Sequence, residues 1–334
     1  MDQLIFFINK VLVAGVVLGS IYALGAVGVT LIAGILRFSH FAHGDMMTMG
    51  AFITFLFAII ATNMGVHLPL PTGFVVLPLG AVATALIALG IDKVFYAPLR
   101  RRGVASVTLL IASIGVTMML QGLIRLFAGA DTRTFFEHEP KEIYRIDLSF
   151  LGGTRPVIIT QPEALMILVV VVIVVALHLF LSRSRLGKGM RAMADNPDLA
   201  QVSGINTQLV IRITWLIAGA LACVGGTMLA LDVSLKPDLA FNIILPIFAA
   251  AVVGGLGQTY GAIAGGFLVG FAEELGVFDW SVFTRPLKGV LPDWLTGASN
   301  LALVPTEYKL TVSFVILVMV LLIRPTGIFK GTET

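Results

Sequence analysis

The chain has 334 residues, of which 57% are hydrophobic and 12% charged. That charged share is about half the one usual in soluble globular proteins, and a soluble body of this length has no place for so much apolar surface. The composition points to a polytopic membrane protein with little left over for a separate catalytic domain. The net charge of +3 sits in short basic clusters between apolar runs, which is a sign of membrane topology and not of nucleic-acid binding.

Residues 1–9 lack the basic region of a cleaved signal, so the first apolar run, 11–36, reads as a mature span. Further runs follow at 46–61, 73–91, 104–124, 164–181, 209–231, 241–255, 262–278 and 310–323. At about 20 residues per crossing they predict an all-α integral membrane protein. It would be a single domain over 1–334 with eight or nine transmembrane helices and broken or re-entrant elements. The pair between 241 and 278 is divided only by a Gly-rich stretch and reads as two spans or as one re-entrant element. Glycines at small-xxx-small spacing, Gly15/Gly19, Gly257/Gly261, Gly261/Gly265 and Gly266/Gly270, favour close helix packing in lipid. Pro246 kinks the run that holds it. The only cysteine, Cys223, allows no internal disulfide.

Charge sets the orientation. Residues 92–102 carry four Lys/Arg against Asp92, a net +3. Residues 183–212 carry five against Asp195 and Asp198, again +3, and the tail from Arg324 carries two against one, +1. Residues 131–163 carry four basic and six acidic side chains, −2, and 232–238 carry one and two, −1. The positive-inside rule predicts a cytoplasmic loop at about 183–208 and an external loop at about 129–163. The N-terminus then falls outside and, after nine crossings, the C-terminus inside.

The chain has no P-loop, arginine-rich voltage sensor or carbonyl-lined potassium filter. Few acids fall within apolar stretches: Asp45, Glu273 and Glu274. Two polar constellations remain. In the first, Arg37-Phe-Ser-His-Phe-Ala-His-Gly-Asp45, His40 and His43 stand three apart with Asp45 two further on. The spacing is compatible with a metal site or a proton relay. The favoured reading is structural: His43 and Asp45 cap the backbone of a helix broken at the membrane edge, and Gly44 permits the turn. Such breaks are also where transporters expose backbone to substrate.

The second constellation, residues 186–206, predicts two short helices. One covers about 188–194. The other opens with Asn196 as N-cap, Pro197 at the first position and Asp198 in the first turn, and closes at Gly204. Met190 with Met193, and Leu199 with Val202, give each helix a small apolar edge. The segment reads either as a loop lying on the membrane or as a dock for a soluble partner.

Three stretches carry a family resemblance. They are Leu18-Gly-Ser-Ile-Tyr-Ala-Leu-Gly with Phe41-Ala-His-Gly-Asp45, then Arg191-Ala-Met-Ala-Asp-Asn-Pro-Asp-Leu-Ala with Gly204-Ile-Asn, then Val253-Gly-Gly-Leu-Gly-Gln-Thr-Tyr-Gly. The chain resembles the LivH/LivM permeases of branched-chain amino acid ABC importers, the LivH half in particular. The resemblance implies a permease subunit that moves branched-chain or related amino acids across the bacterial inner membrane. It implies a second, LivM-like permease, two cytoplasmic ATP-binding subunits and a periplasmic binding protein as partners, besides membrane lipid. ATP would be bound by the partners, with no cofactor, metal or catalytic residue in this chain. It implies ATPase docking through Met190, Arg191, Met193, Asp195, Asn196, Pro197, Leu199, Val202 and Gly204. Ser20, Tyr22, His40, His43, Gly44 and Asp45 are expected along the translocation path and its broken helix. Ser39-His40 stands where the family more often has Ile-Asn, and 129–163 is idiosyncratic. Urea, amides and other small polar solutes therefore stay open as cargo. From other classes, an ATPase-independent channel or secondary carrier and a membrane-embedded enzyme using His40, His43 and Asp45 are the alternatives.

Overall fold

The computed structural model describes residues 2–65, 70–137, 139–147, 155–287, 292, 300–324 and 326–329. Six helices are long and apolar enough to cross a membrane: α1 Asp2–Leu36, α2 His43–Asn63, α3 Thr72–Arg101, α4 Ser106–Ala128, α5 Gln161–Arg183 and, after two short helices, α8 Thr207–Asp232. The short pair is α6 Arg185–Asp195 and α7 Pro197–Val202. Later come α9 Ile244–Gly254, α10 Thr259–Val277 and α11 Leu310–Ile323. The protein is thus all-α and polytopic. A two-stranded hairpin, β1 Ile143–Ile146 against β2 Val157–Thr160, is the one regular β-element among the described residues. It lies within the polar segment whose fold the sequence left open.

Helix boundaries depart from the apolar runs for local reasons. α1 begins at Asp2, well before residue 11, and passes through a π-helical stretch at Ile8–Val13. Lys10 does not interrupt it, because its exposed side chain reaches solvent. α3 continues through much of the basic cluster expected as a loop. Its Asp92 accepts two hydrogen bonds from Arg100, at 2.6 and 3.1 Å, which ties the extension together. α5 opens with a capping box: Thr160 accepts from the Glu163 N–H, and Glu163 accepts from the Thr160 N–H at 2.6 Å.

Of the two readings left open for 241–255, α9 falls short of the full span. It has 11 residues, about 16 Å at 1.5 Å per residue, against a hydrocarbon core of about 30 Å. The remainder of that crossing, residues 233–243, carries no regular helix.

The bundle has two distinct ends. At one, Asn9 bonds the backbone of Pro156 and Ile158, Arg133 pairs with Leu235, and Lys309 meets Glu274 at 2.6 Å. At the other, Gly34, Leu181, Met190, Asp195 and Gly257 share one cleft, and Ile328 donates to Val253. The first set includes residues of 131–163 and 232–238, and the second includes residues of 183–212 and of the tail. The tail at 330–334 and residues 148–154 lie outside the described residues.

α8 is the central column and packs against α1, α2 and α3. The densest pairing joins α1 to α10. A methyl group on Gly266 would stand 2.4 Å from the backbone of Ala23, and one on Gly270 would stand 2.6 Å from Gly19. The glycine spacing read from the sequence is therefore a packing device, and it brings two backbones into contact.

Candidate functional site

α1 ends because Arg37 turns into the left-handed region, φ 55° and ψ 40°, with its N–H on the Ala33 carbonyl. The chain then reverses through 38–42 as irregular backbone before α2 begins at His43. His43 lies against Gly28, where a methyl group would stand 2.4 Å from the imidazole. Gly28 is eight residues, about 12 Å, from the end of α1. The start of α2 is therefore packed about two turns back from the end of α1.

The second irregular stretch, 233–243, descends to meet the first. The Ala240 N–H donates to Thr48 at 3.0 Å. Gly44 faces the Ala240 carbonyl and Ile244, and Phe41 stacks on Phe248 with centroids 4.8 Å apart. The N-termini of α2 and α9 thus converge. Each carries the partial positive charge of a helix start, and paired helix breaks of this kind form the binding region of many transporters.

The capping roles expected for His43 and Asp45 are not found. The N-cap residue Ala42 makes no side-chain cap. Both ring nitrogens of His43 and Oδ1 of Asp45 are buried without a partner among the described residues. Asp45 is turned toward Thr117 and Gln121 of α4, with Arg125 further off. The break is held by other means. Ser113 Oγ accepts from the Phe41 N–H at 3.2 Å, and the His43 N–H reaches the His40 carbonyl at 3.3 Å. His40 is the anchor: its Nδ1 lies 3.1 Å from the Tyr96 hydroxyl and its Nε2 3.3 Å from the Met46 sulfur. Trp215 closes the cluster, stacked on Tyr96 at 5.2 Å. Sequence reasoning missed Ser113, Tyr96 and Trp215. They come from three other helices, and no local pattern marks them.

Of the other path residues, Ser20 is buried in α1. Tyr22 is buried and donates to Glu273 of α10 at 2.9 Å. Glu273 also accepts from Ser313 of α11, so one carboxylate joins three helices. Among the described residues no group of three or more His, Cys, Asp or Glu is placed to hold a metal.

α6 and α7 stand at the far end of the bundle, next to the Gly255–Gln258 turn that joins α9 to α10. Ser184 caps α6 through the Gly187 N–H, and Asn196 caps α7 through the Leu199 N–H at 3.0 Å. Gly204 has φ +82°, which suits the glycine expected there. The two apolar edges part company. Met190 and Met193 are 2% and 3% exposed and pack into the bundle, which corrects their reading as an outward edge. Leu199 and Val202 are 63% and 86% exposed. Arg191, Asp195, Asn196 and Gly204 are exposed, and Pro197 is half-buried.

A many-helix membrane body in which two helix breaks meet, with a pair of short helices outside the spans, has the architecture of a transport permease. The sequence pattern of the branched-chain amino acid transport system permease component matches residues 11–321. The chain is 31% identical to the high-affinity branched-chain amino acid transport system permease protein LivH of Escherichia coli K12, over 99% of this chain and 98% of the relative. It is 31% identical to BraD of Pseudomonas aeruginosa, a permease protein of the same description, over 96% and 95%. It is 27% identical to a probable LivH of Methanocaldococcus jannaschii, over 96% and 92%. No solved structure matches. The chain belongs to the branched-chain amino acid transport permease family.

Proposed function

We propose that the chain is one half of the membrane path of an ABC importer for branched-chain or related amino acids, in the cytoplasmic membrane. The near full-length identity to LivH and BraD supports the cargo class. The partners are a second permease of similar fold, two ATP-binding subunits and an external binding protein. ATP is hydrolysed by the soluble subunits, and this chain supplies the route.

The end carrying α6 and α7 faces the cytoplasm, in keeping with the +3 clusters at 92–102 and 183–212. The ATPase docks on α7. The observation that carries this is the exposure of Leu199 and Val202 on a capped helix outside the spans. Exposed apolar side chains of this size beside exposed charges suit a partner surface. Met190 and Met193 fasten α6 to the bundle, so movement of the dock is passed to α1, α5 and the Gly255–Gln258 turn, which line the same cleft.

Uptake of labelled leucine into inside-out-free vesicles, with all partner genes present, tests the proposal. Uptake should require ATP and disappear when either ATP-binding subunit is deleted. Transport that persists without them would make the chain a channel or secondary carrier.

A further inference from the structure

A groove runs along α2 toward its end at Asn63. Its apolar part holds about 490 Å³ and is walled by Ile53, Leu56, Ile87, Leu123 and Phe127 of α2, α3 and α4. Its polar part holds about 320 Å³ and is walled by Thr62, Thr72, Glu137 and Glu139. Phe55, Ile59 and Arg133 line both parts, so the two form one groove with Arg133 at the junction. The groove opens sideways between side chains that face lipid, Leu56 at 55% exposed and Phe127 at 83%.

Arg133 is held at the junction by its backbone. Its N–H and C=O pair with Leu235 at 2.9 and 2.8 Å. Its guanidinium reaches the Ala128 carbonyl at 3.4 Å, and among the described residues it forms no ion pair with a carboxylate. Glu139 is engaged with the Thr72 N–H and hydroxyl at the start of α3. Glu137 is exposed on the same rim.

We propose that this groove binds a phospholipid with a primary-ammonium headgroup, a phosphatidylethanolamine. An acyl chain fills the apolar part, the phosphate sits on Arg133 and the ammonium on Glu137. The order of groups along the groove (apolar wall, cation, anion) matches the order along that lipid. A free amino acid has the two charges but not the length of chain that the apolar part accommodates. A lipid with only negative charge in its headgroup would set it against Glu137 and Glu139. A choline headgroup has no N–H to donate to a carboxylate.

The full chain, purified in detergent and placed in nanodiscs of ethanolamine, choline or glycerol phospholipids, tests this by native mass spectrometry and by photoactivatable lipid. Wild type should retain the ethanolamine lipid preferentially, and the photolabel should map to peptides containing 53–59 and 123–128. Arg133→Ala should weaken retention roughly tenfold, the weight of one charge-assisted contact, and Arg133→Lys should restore most of it. Glu137→Gln should lose the preference for ethanolamine over glycerol headgroups while still retaining lipid. Ile53→Trp, which fills the groove, should abolish retention at an unchanged unfolding temperature. The wild-type labelling keeps the test decisive if a variant fails to fold. Equal retention of all three lipids, label elsewhere, or protection of the groove by a second copy of the chain or by leucine would overturn the proposal.

Discussion

The Tyr22 hydroxyl donates to Oε2 of Glu273 across 2.9 Å, between two helices that otherwise touch through glycine. Both side chains are buried, at 1% and 0% exposed. Tyr22→Phe removes one of the two hydroxyl donors to this carboxylate. It should cost about 1–3 kcal/mol, the price of an under-satisfied buried acceptor. Glu273→Gln keeps a carbonyl acceptor for one hydroxyl and turns an N–H donor to the other, which can rotate to accept it, and should cost less. Thermal unfolding in detergent checks the order, and an unfolding temperature lower for Glu273→Gln than for Tyr22→Phe would contradict it.

Gly226 and Gly90 are both helical, yet their surroundings differ. A methyl group on Gly226 would lie 1.9 Å from the Met47 carbonyl oxygen, whereas Gly90 has nothing within 4 Å. Gly226→Ala should push α2 off α8 and sharply lower the yield of folded protein. Gly90→Ala should be neutral or gain up to about 1 kcal/mol from helix propensity. Size-exclusion profiles and melting curves of the two variants give the comparison.

His43 is fully buried, and both of its ring nitrogens lack a partner among the described residues. Replacing such a group with an apolar one of similar shape should be close to neutral for stability, within about 1 kcal/mol. His43→Leu is therefore expected at normal membrane levels, so any loss of uptake is a loss of function. Uptake per unit of membrane protein measures it. A variant that vanishes from the membrane would restore a structural role for the imidazole.

Leu199 and Met193 were equivalent in the sequence and are opposite in the structure. Leu199→Glu and Val202→Glu place a charge in water and should leave the chain folded while the ATP-binding subunit is lost from pull-downs. Met193→Glu buries an unpaired charge and should destabilise the chain by several kcal/mol. Retention of the ATPase by both α7 variants would remove the dock from this helix.

The sequence was most legible where structure is local. Asn196, Pro197 and Gly204 mark the cap, first turn and end of α7 with no tertiary information, because capping is a matter of neighbouring backbone groups. The apolar runs likewise located all the long helices. Legibility failed where distant segments meet. Nothing near His40 shows that Tyr96 and Trp215 will enclose it, and nothing near Ala240 names Thr48 as its acceptor. The inward turn of Met190 and Met193 depends on where α5 and α8 place α6. Ser184, four residues before the helix read for 188–194, was not read as a cap: arginine follows it instead of an apolar residue.

The backbone contact between α1 and α10 has a mechanical consequence. With Gly19, Gly266 and Gly270 meeting main chain, and the Phe267 and Phe271 rings seated on Gly19 and Gly15, the two helices interlock at backbone distance. Sliding one past the other by a single residue would replace these glycines with Leu18, Phe267 or Phe271 and jam the pair. The pair is a strut of fixed length, tied further by Tyr22 and Glu273. Any alternation of access must tilt it whole, with the flexing confined to 37–42 and 233–243, where the chain has no helix to break.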